Sequence, residues 1–223
     1  LSGEEIERGL LAACRAHPSI TILDNQMAVD LVTKAKIEGG VDEDGNLTAL
    51  RLRISGQSIL YGLMPERLNG GPDPVVFQAL APEGDHAISY SIPNLLIDHA
   101  MRNPPVPPGF WRGVNVNQNA IYLECFVDEL AHAAGQDPLA FRRKLMKNHP
   151  KSRAVLDAVA ERVGWDQPAP AGIHRGLAVC KAFAAHVAAC AEVSVDEQGQ
   201  LKIHRIVAAT DPGYAVNPQQ IEA

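Results

Sequence analysis

Val41-Asp-Glu-Asp-Gly-Asn-Leu47 is an acidic, glycine-containing break, and the residues after it alternate, with Leu50, Leu52 and Ile54 recurring every second position. A period of two marks a strand with one face on a core. The arrangement returns late in the chain, where Val195-Asp-Glu-Gln-Gly-Gln-Leu201 leads into Lys202-Ile203-His204-Arg205-Ile206-Val207. Both stretches predict strand, turn, strand. Turn chemistry alone selects Asp and Gly, so the recurrence fits ordinary hairpins as well as two related subdomains.

Between these stretches the period changes. Leu95 to Met101 alternates as a strand, and Asn103-Pro-Pro-Val-Pro-Pro108 must run extended, since each proline fixes its own φ and biases its predecessor. Leu123, Phe126, Val127, Leu130, Ala131 and Ala134 then recur at helical spacing, with Gly135 as a natural stop. Asp137-Pro138 supplies an N-cap and first-turn proline for a second helix through about Lys147, whose Arg142, Arg143, Lys144 and Lys147 lie toward its C-terminal end. A third helix, about Ser152 to Val163, buries Val155, Leu156, Val159, Ala160 and Val163 and ends at Gly164. Pro168, Pro170 and Gly172 form a linker, and from Gly176 onward the chain reads as strands. The class is α+β, with mixed sheets and a central group of helices.

Toward the N-terminus, Ser2 and Glu5 form a capping box ahead of Ile6, Leu10, Leu11 and Cys14, which predicts a helix to about Arg15. Residues 19–36 suggest a strand around the polar break Asp24-Asn25-Gln26. The 223 residues are 46% hydrophobic and suffice for a real core without disulfides or metal. A net charge of −6, with no Lys/Arg cluster long enough to neutralise a run of phosphates, disfavours nucleic acid as a partner. No stretch approaches the roughly 20 apolar residues that cross a bilayer. The first residue is Leu1, so the chain is expected to begin inside a longer polypeptide.

Four groups of residues could carry chemistry. Cys180, His186 and Cys190 would be metal ligands only if close together; on a single strand they stand roughly 20 and 13 Å apart, which favours buried small residues unless the chain bends sharply. His132 reads as solvated. Glu124 and Asp128 share a helix face and could form an acid/base or metal pair, but the plainer readings are a charged surface or a buried Glu bonded to a neighbouring loop. Pro107-Pro-Gly-Phe-Trp-Arg-Gly113 offers a backbone that can press against a ligand beside a guanidinium, and Asn115, Asn117, Gln118 and Asn119 add amides. The same loop could instead be a turn whose Trp111 fills a core and whose Arg112 holds a carboxylate such as Glu124.

Residues 107–120, continuing through Glu124-Cys-Phe-Val-Asp-Glu-Leu-Ala131 and Gly135-Gln-Asp-Pro-Leu-Ala-Phe-Arg142, resemble the molybdopterin-binding large subunit of the xanthine oxidase family. The likeness is to the branch that holds the aldehyde dehydrogenase and isoquinoline 1-oxidoreductase β-subunits. Ala191 to Arg205, Asp211-x-Gly213 and Val216-Asn-Pro218 resemble the same branch, so the likeness runs over residues 37–223. It implies residues 1–36 as a helix and connector, 37–167 as a first subdomain with the helices, and 168–223 as a second, strand-rich subdomain truncated at its C-terminus.

The resemblance further implies an oxidoreductase that hydroxylates aldehydes or N-heteroaromatic compounds with oxygen from water. Its cofactor would be molybdenum-molybdopterin, as a cytosine dinucleotide. Iron–sulfur clusters would sit only on a small partner subunit that passes electrons to an acceptor. A cytoplasmic location is implied, with a periplasmic one as the alternative. Gly109, Phe110, Trp111, Arg112 and Gly113 match the family loop that approaches the cofactor, where Arg112 and neighbouring N–H groups would meet pterin or phosphate oxygens. The chain departs from the family in three places. A Gly-rich Phe-Gly cofactor segment is missing between the first helix and Lys36-Ile-Glu-Gly-Gly40. Phe183-Ala-Ala-His-Val187 replaces a stretch richer in Gly and Ser. The catalytic glutamate belongs beyond the Asn-Pro motif, so no residue here takes the general-base role. The chain thus reads as an incomplete copy, inactive alone; the alternative is an independently folding, non-catalytic binding or assembly module.

Overall fold

The computed structural model describes residues 34–222, so the expected first helix, and all but the end of the expected strand in 19–36, lie outside the described residues. Strands β1 (Lys34–Val41), β2 (Leu47–Gly56) and β3 (Asn94–Met101) form one sheet; β4 (His174–Ala182), β5 (Ala185–Val195) and β6 (Leu201–Asp211) form another. Five α-helices, α1 (Ile59–Leu63), α2 (Val116–Ala133), α3 (Pro138–Leu145), α4 (Pro150–Val163) and α5 (Pro218–Glu222), and two 3₁₀ turns, Pro65–Leu68 and Pro74–Phe77, complete the described residues. This is the expected α+β arrangement. The second sheet is antiparallel throughout, whereas β3 runs parallel to β2 and therefore needs the long crossover of residues 57–93.

Both acidic turns form as expected and agree bond for bond. Asp42 Oδ1 accepts the N–H groups of Asp44 (3.1 Å) and Asn46 (2.7 Å), and Asp196 Oδ1 accepts those of Gln198 (3.0 Å) and Gln200 (2.8 Å). Gly45 and Gly199 take the left-handed positions, at φ +71° and +77°. The helix boundaries also follow their signals. Gly135 ends α2 with paired bonds, Gln136 N–H to Ala131 O and Gly135 N–H to His132 O, while Asp137 caps α3 by accepting the Ala140 N–H at 2.9 Å. Helix α3 stops at Leu145, so Lys147 lies beyond it.

Packing follows from the periodicities. Leu50, Leu52 and Ile54 of β2, Leu123, Val127 and Leu130 of α2, and Val155, Leu156 and Val159 of α4 join one buried cluster that reaches Leu177 and Cys190 in the second sheet. Gly39 in β1 lets α2 approach, because a Cβ there would meet Phe126 Cε1 at 2.9 Å and Leu130 Cδ2 at 3.0 Å. The second sheet buries only one side. Its other side presents Val187, Val193 and Val195 of β5 beside Leu201, Ile203 and Ile206 of β6, and Ile206 is 60% exposed.

The Cys180–Cys190 stretch is not one strand. It turns back at Phe183 and Ala184, two non-glycine residues at φ +51° and +64°, so Cys180 pairs with Val187 and Cys190 with Leu177. A hairpin was the bend that could have gathered metal ligands, yet it sets Cys180, His186 and Cys190 at separate places; among the described residues no three His, Cys, Asp or Glu side chains group to hold a metal. Ser152 Oγ bonds His186 Nδ1 instead, at 2.8 Å.

On the core side of the same hairpins, Glu192 takes one guanidinium on each oxygen, Arg175 at 2.9 Å and Arg205 at 2.8 Å. Bonds from Arg205 and Arg175 hold its carboxyl below the ordinary range, so its stabilisation is complete above about pH 4.5 and is lost as pH falls through the lowered value. Glu192→Gln is expected to make the acid limb of the stability–pH curve shallower, read by circular dichroism melts between pH 3 and 7; an unchanged limb would show that the two arginines do not hold the carboxyl low.

Candidate cofactor site

The approach to the 109–113 loop is anchored from below. Ser58 caps α1 by accepting the Tyr61 N–H, donates its hydroxyl to Asp73 Oδ2 at 2.8 Å, and gives its own N–H to Asn103 Oδ1 at 2.9 Å. Buried Asp73 also accepts the N–H groups of Leu60 and Val75. The extended proline run therefore starts from a fixed point. Gly62 of α1 lies against Pro107, where a Cβ would stand 3.1 Å from the ring.

The far side of the loop is held by the amides. Helix α2 starts at Val116, ahead of its apolar pattern, so Asn117, Gln118 and Asn119 are helical and do not form a ligand-facing loop. Buried Asn119 donates to the carbonyls of Val76 and Gln78, both at 2.8 Å; Asn115 donates to Val75 O at 2.9 Å and gives its own N–H to Gln78 Oε1. Gln118 bonds Asn115, and Asn117 bonds Arg112 O at 3.1 Å. This clamp overcomes backbone strain at two non-glycine residues, Val114 at φ +47° and Ala79 at φ +66°. Each costs on the order of 1–3 kcal/mol, and a β-branched residue there is unusual.

Held in this way, the loop faces outward. Trp111 is 85% exposed and Phe110 49%, so Trp111 fills no core. Arg112 does not hold Glu124; its guanidinium is exposed and has no partner among the described residues, nor do the main-chain N–H groups of residues 109–113. The loop gives directly onto the N-terminus of α2, an 18-residue helix whose Asn115 makes no side-chain cap bond. The positive end of its dipole and Arg112 thus adjoin a row of open donors, which suits an anionic, oxygen-rich group.

Glu124 belongs to a different structure, with Arg142 as its partner. Arg142 is completely buried, and its Nε meets Glu124 Oε2 at 3.1 Å while Nη1 meets Asp128 Oδ1 at 2.5 Å. Its remaining donors reach the carbonyls of Pro138, Glu124 and Leu177. Tyr90 O–H donates to Glu124 Oε1 at 2.7 Å, and the Val179 N–H to Oε2 at 3.0 Å. Burial pushes the Glu124 carboxyl up, and Arg142, Tyr90 and Val179 pull it back. Glu124 and Asp128 do share a face, but that face closes on an arginine, giving the buried-Glu reading with a strand N–H in place of a loop. His132 stays exposed, beside Asp128 on the rim of a cleft of about 370 Å³.

The family described as "Molybdopterin cofactor-binding domain" matches residues 30–146. The chain belongs to that family. The matched stretch contains the whole 103–119 clamp and both sides of the Glu124–Arg142 pair. Among relatives, a nicotinate dehydrogenase subunit of Pseudomonas putida is 31% identical over 211 residues, covering 83% of this chain and 17% of its own length. The β-subunit of isoquinoline 1-oxidoreductase from Brevundimonas diminuta is 28% identical over 195 residues, covering 84% of this chain and 24% of its own. This member of the family thus spans less than a quarter of the curated relatives it matches. Two solved structures are similar to 77% of it: aldehyde oxidoreductase from Desulfovibrio gigas (TM-score 0.46, 17% identity, 20% of that chain) and quinoline 2-oxidoreductase from Pseudomonas putida 86 (0.49, 18%, 26%).

Two outcomes are expected here. Gly113 lies at φ +82° with the Asn117 amide where its Cβ would be, whereas Gly109 has open space. Gly113→Ala should therefore lower stability by about 1–2 kcal/mol and Gly109→Ala by less than about 0.5, in urea titrations. Arg142→Met should cost about 3–5 kcal/mol by stranding Glu124, and adding Glu124→Leu should recover only part of it, since Tyr90 O–H and Val179 N–H then lose their acceptor. Equal losses in the single and double variants would mean that packing, not charge, sets the cost.

Proposed function

We propose that the 109–113 loop holds part of a molybdenum–pterin cofactor, and that the chain is one portion of an oxidoreductase subunit that hydroxylates aldehydes or N-heteroaromatic compounds using water. The observation that carries this is the outward loop itself, with an unpartnered Arg112, open N–H groups and a helix dipole, kept in place by a strained clamp within a member of this family. The residues fit the group. Arg112 and the N–H groups of residues 110–113 would bind pterin or phosphate oxygens, and Phe110 and Trp111 would cover flat faces and exclude water. When bound, the cofactor supplies the two-electron oxidation of the substrate carbon. Motif matching assigns the general base to no residue of this chain, so its share is binding and orientation.

A cytosine dinucleotide form, a small iron–sulfur partner with an electron acceptor, and a cytoplasmic setting complete the proposal. Residues 37–167 and 168–223 are read as two related subdomains, supported by their matching turns. A second reading, an independently folding module without cofactor, is favoured by the buried Glu124–Arg142 pair and by the apolar cluster that joins both sheets to the helices.

Molybdenum and pterin analysis of the purified chain separates the two. Stoichiometric metal supports the first; a cooperatively folded, metal-free protein from molybdate-supplied cells supports the second. In the first case Arg112→Ala is expected to cut molybdenum content about tenfold while moving the melting temperature by no more than about 2 °C, as for an exposed side chain. Unchanged metal content would remove Arg112 from the site.

A further inference from the structure

Away from that loop, the register of the second sheet sorts its side chains onto two sides. Leu177 pairs with Cys190 and Cys190 with Val207, all on the core side, so the alternate positions of the three strands share the opposite one. Ile203 and Ile206 are three apart and would fall on different sides of a regular strand. A register shift at Glu192–Val193 pairs Ile206 with Ala191 and Ile203 with Val193, and so brings both to the side away from the core. That side is open: Leu201, Ile203 and Ile206 are each more than half exposed, and Gly176, Ala178 and Ala208 are exposed as well.

Along the strands this open side divides in two. One end is bulky, with Val195 beside Leu201 and Val193 beside Ile203; the other is low, with Ala178, Ala189 and Ala208 abreast. Gly176, Ala191 and Ile206 form the row between them. Polar groups keep to the margins, His174 on the β4 edge and Cys180 and Thr210 flanking Val187 beyond the alanines. No carboxylate, ammonium or guanidinium stands on this side. Five rows on three strands cover roughly 500 Å², from a strand spacing of about 4.8 Å and a rise of about 3.4 Å per residue, and an apolar patch of that size marks an interaction surface.

We infer that this side is an interface between two copies of the chain, packed face to face as a β-sandwich. A two-fold axis lying between the sheets and across the strands, level with Ala191, sets the bulky end of each copy on the low end of the other. Ile203 then comes over Ala208, and Val193 over Ala189. In an isologous contact one surface must fit itself, and bulk matched by hollow on the same sheet meets that condition. A charged partner finds nothing here to pair with. The two copies together bury about 1,000 Å², the lower bound for a specific interface, so association is reversible, with a dissociation constant of about 10–100 µM. None of the cofactor-loop residues takes part.

Sedimentation velocity of the 223-residue chain over about 5 to 500 µM tests this. The weight-average mass is expected to rise with concentration from one chain toward two and to stop there. Ile206→Lys places an ammonium beside its own symmetry mate and should weaken the dimer at least about tenfold. Ala208→Leu adds apolar surface but fills the hollow, so it too should weaken the dimer about tenfold, whereas a non-specific apolar surface would associate more tightly. Both positions are exposed, and the melting temperatures should stay within about 2 °C. Growth beyond two chains, a dimer indifferent to Ile206→Lys, or equal or tighter association of Ala208→Leu would overturn the inference. So would a single chain at every concentration, which would leave this side to a different partner. Should Ile206→Lys fail to fold, Ala208→Leu still decides.

Discussion

A guanidinium with no access to water is the constraint from which the rest of this structure follows. Arg142 cannot lose its charge, so burial is tolerable only when every donor is met, and the partners come from three elements and a loop: Glu124 and Asp128 on α2, Pro138 at the start of α3, Leu177 on β4, and Tyr90 through Glu124. Shifting any one of them strands a buried charge. Hydrophobic contacts between α2, α3 and β4 could slide; this set of directed bonds cannot. The ion pair therefore does for geometry what the apolar cluster does for free energy, making one packing of the helices against the second sheet better than its neighbours.

The clamp around residues 75–79 and 113–119 works on the same principle with neutral groups. Val114 and Ala79 sit in conformations that their side chains resist, and Asn115, Asn119 and Gln78 supply the bonds that keep them there. Amides suit this task because one side chain can donate and accept at once. What emerges is a loop whose aromatic and basic side chains point outward. Rigidity is imported from α2 and α1, which leaves the loop's own N–H groups uncommitted among the described residues.

Much of this was legible in the residues. The two Asp-Gly turns, the Asp137-Pro138 cap, the Gly135 and Gly164 stops and the apolar faces of α2 and α4 follow from local chemistry, which depends on neighbours in sequence. At residues 109–113 the sequence left an exposed loop and a turn with Trp111 in a core equally open, and only the exposure of Trp111 decides between them. What escaped depends on contacts across the fold. Arg142 lies among Arg143 and Lys144 near a helix end, where basic residues normally face water, and nothing in sequence marks the one that turns inward. Asn115 to Asn119 carry equal promise as ligand groups and as backbone clamps, and only the position of residues 75–78 decides. The parallel pairing of β3 joins elements separated by a long crossover, which no local signal announces. The hairpin at Phe183 and Ala184 lacks the glycine or asparagine that normally announces such a turn.

The second sheet covers one of its sides and leaves Val187, Val195, Leu201, Ile203 and Ile206 on the other, with no charged side chain among them. For this polypeptide on its own, that side dominates colloidal behaviour. Like surfaces meet without repulsion, and the unpaired main chain of β6 beside them offers hydrogen bonds to whatever arrives. Solubility is then governed by concentration and ionic conditions, with the net charge of −6 borne elsewhere on the molecule acting as the principal brake.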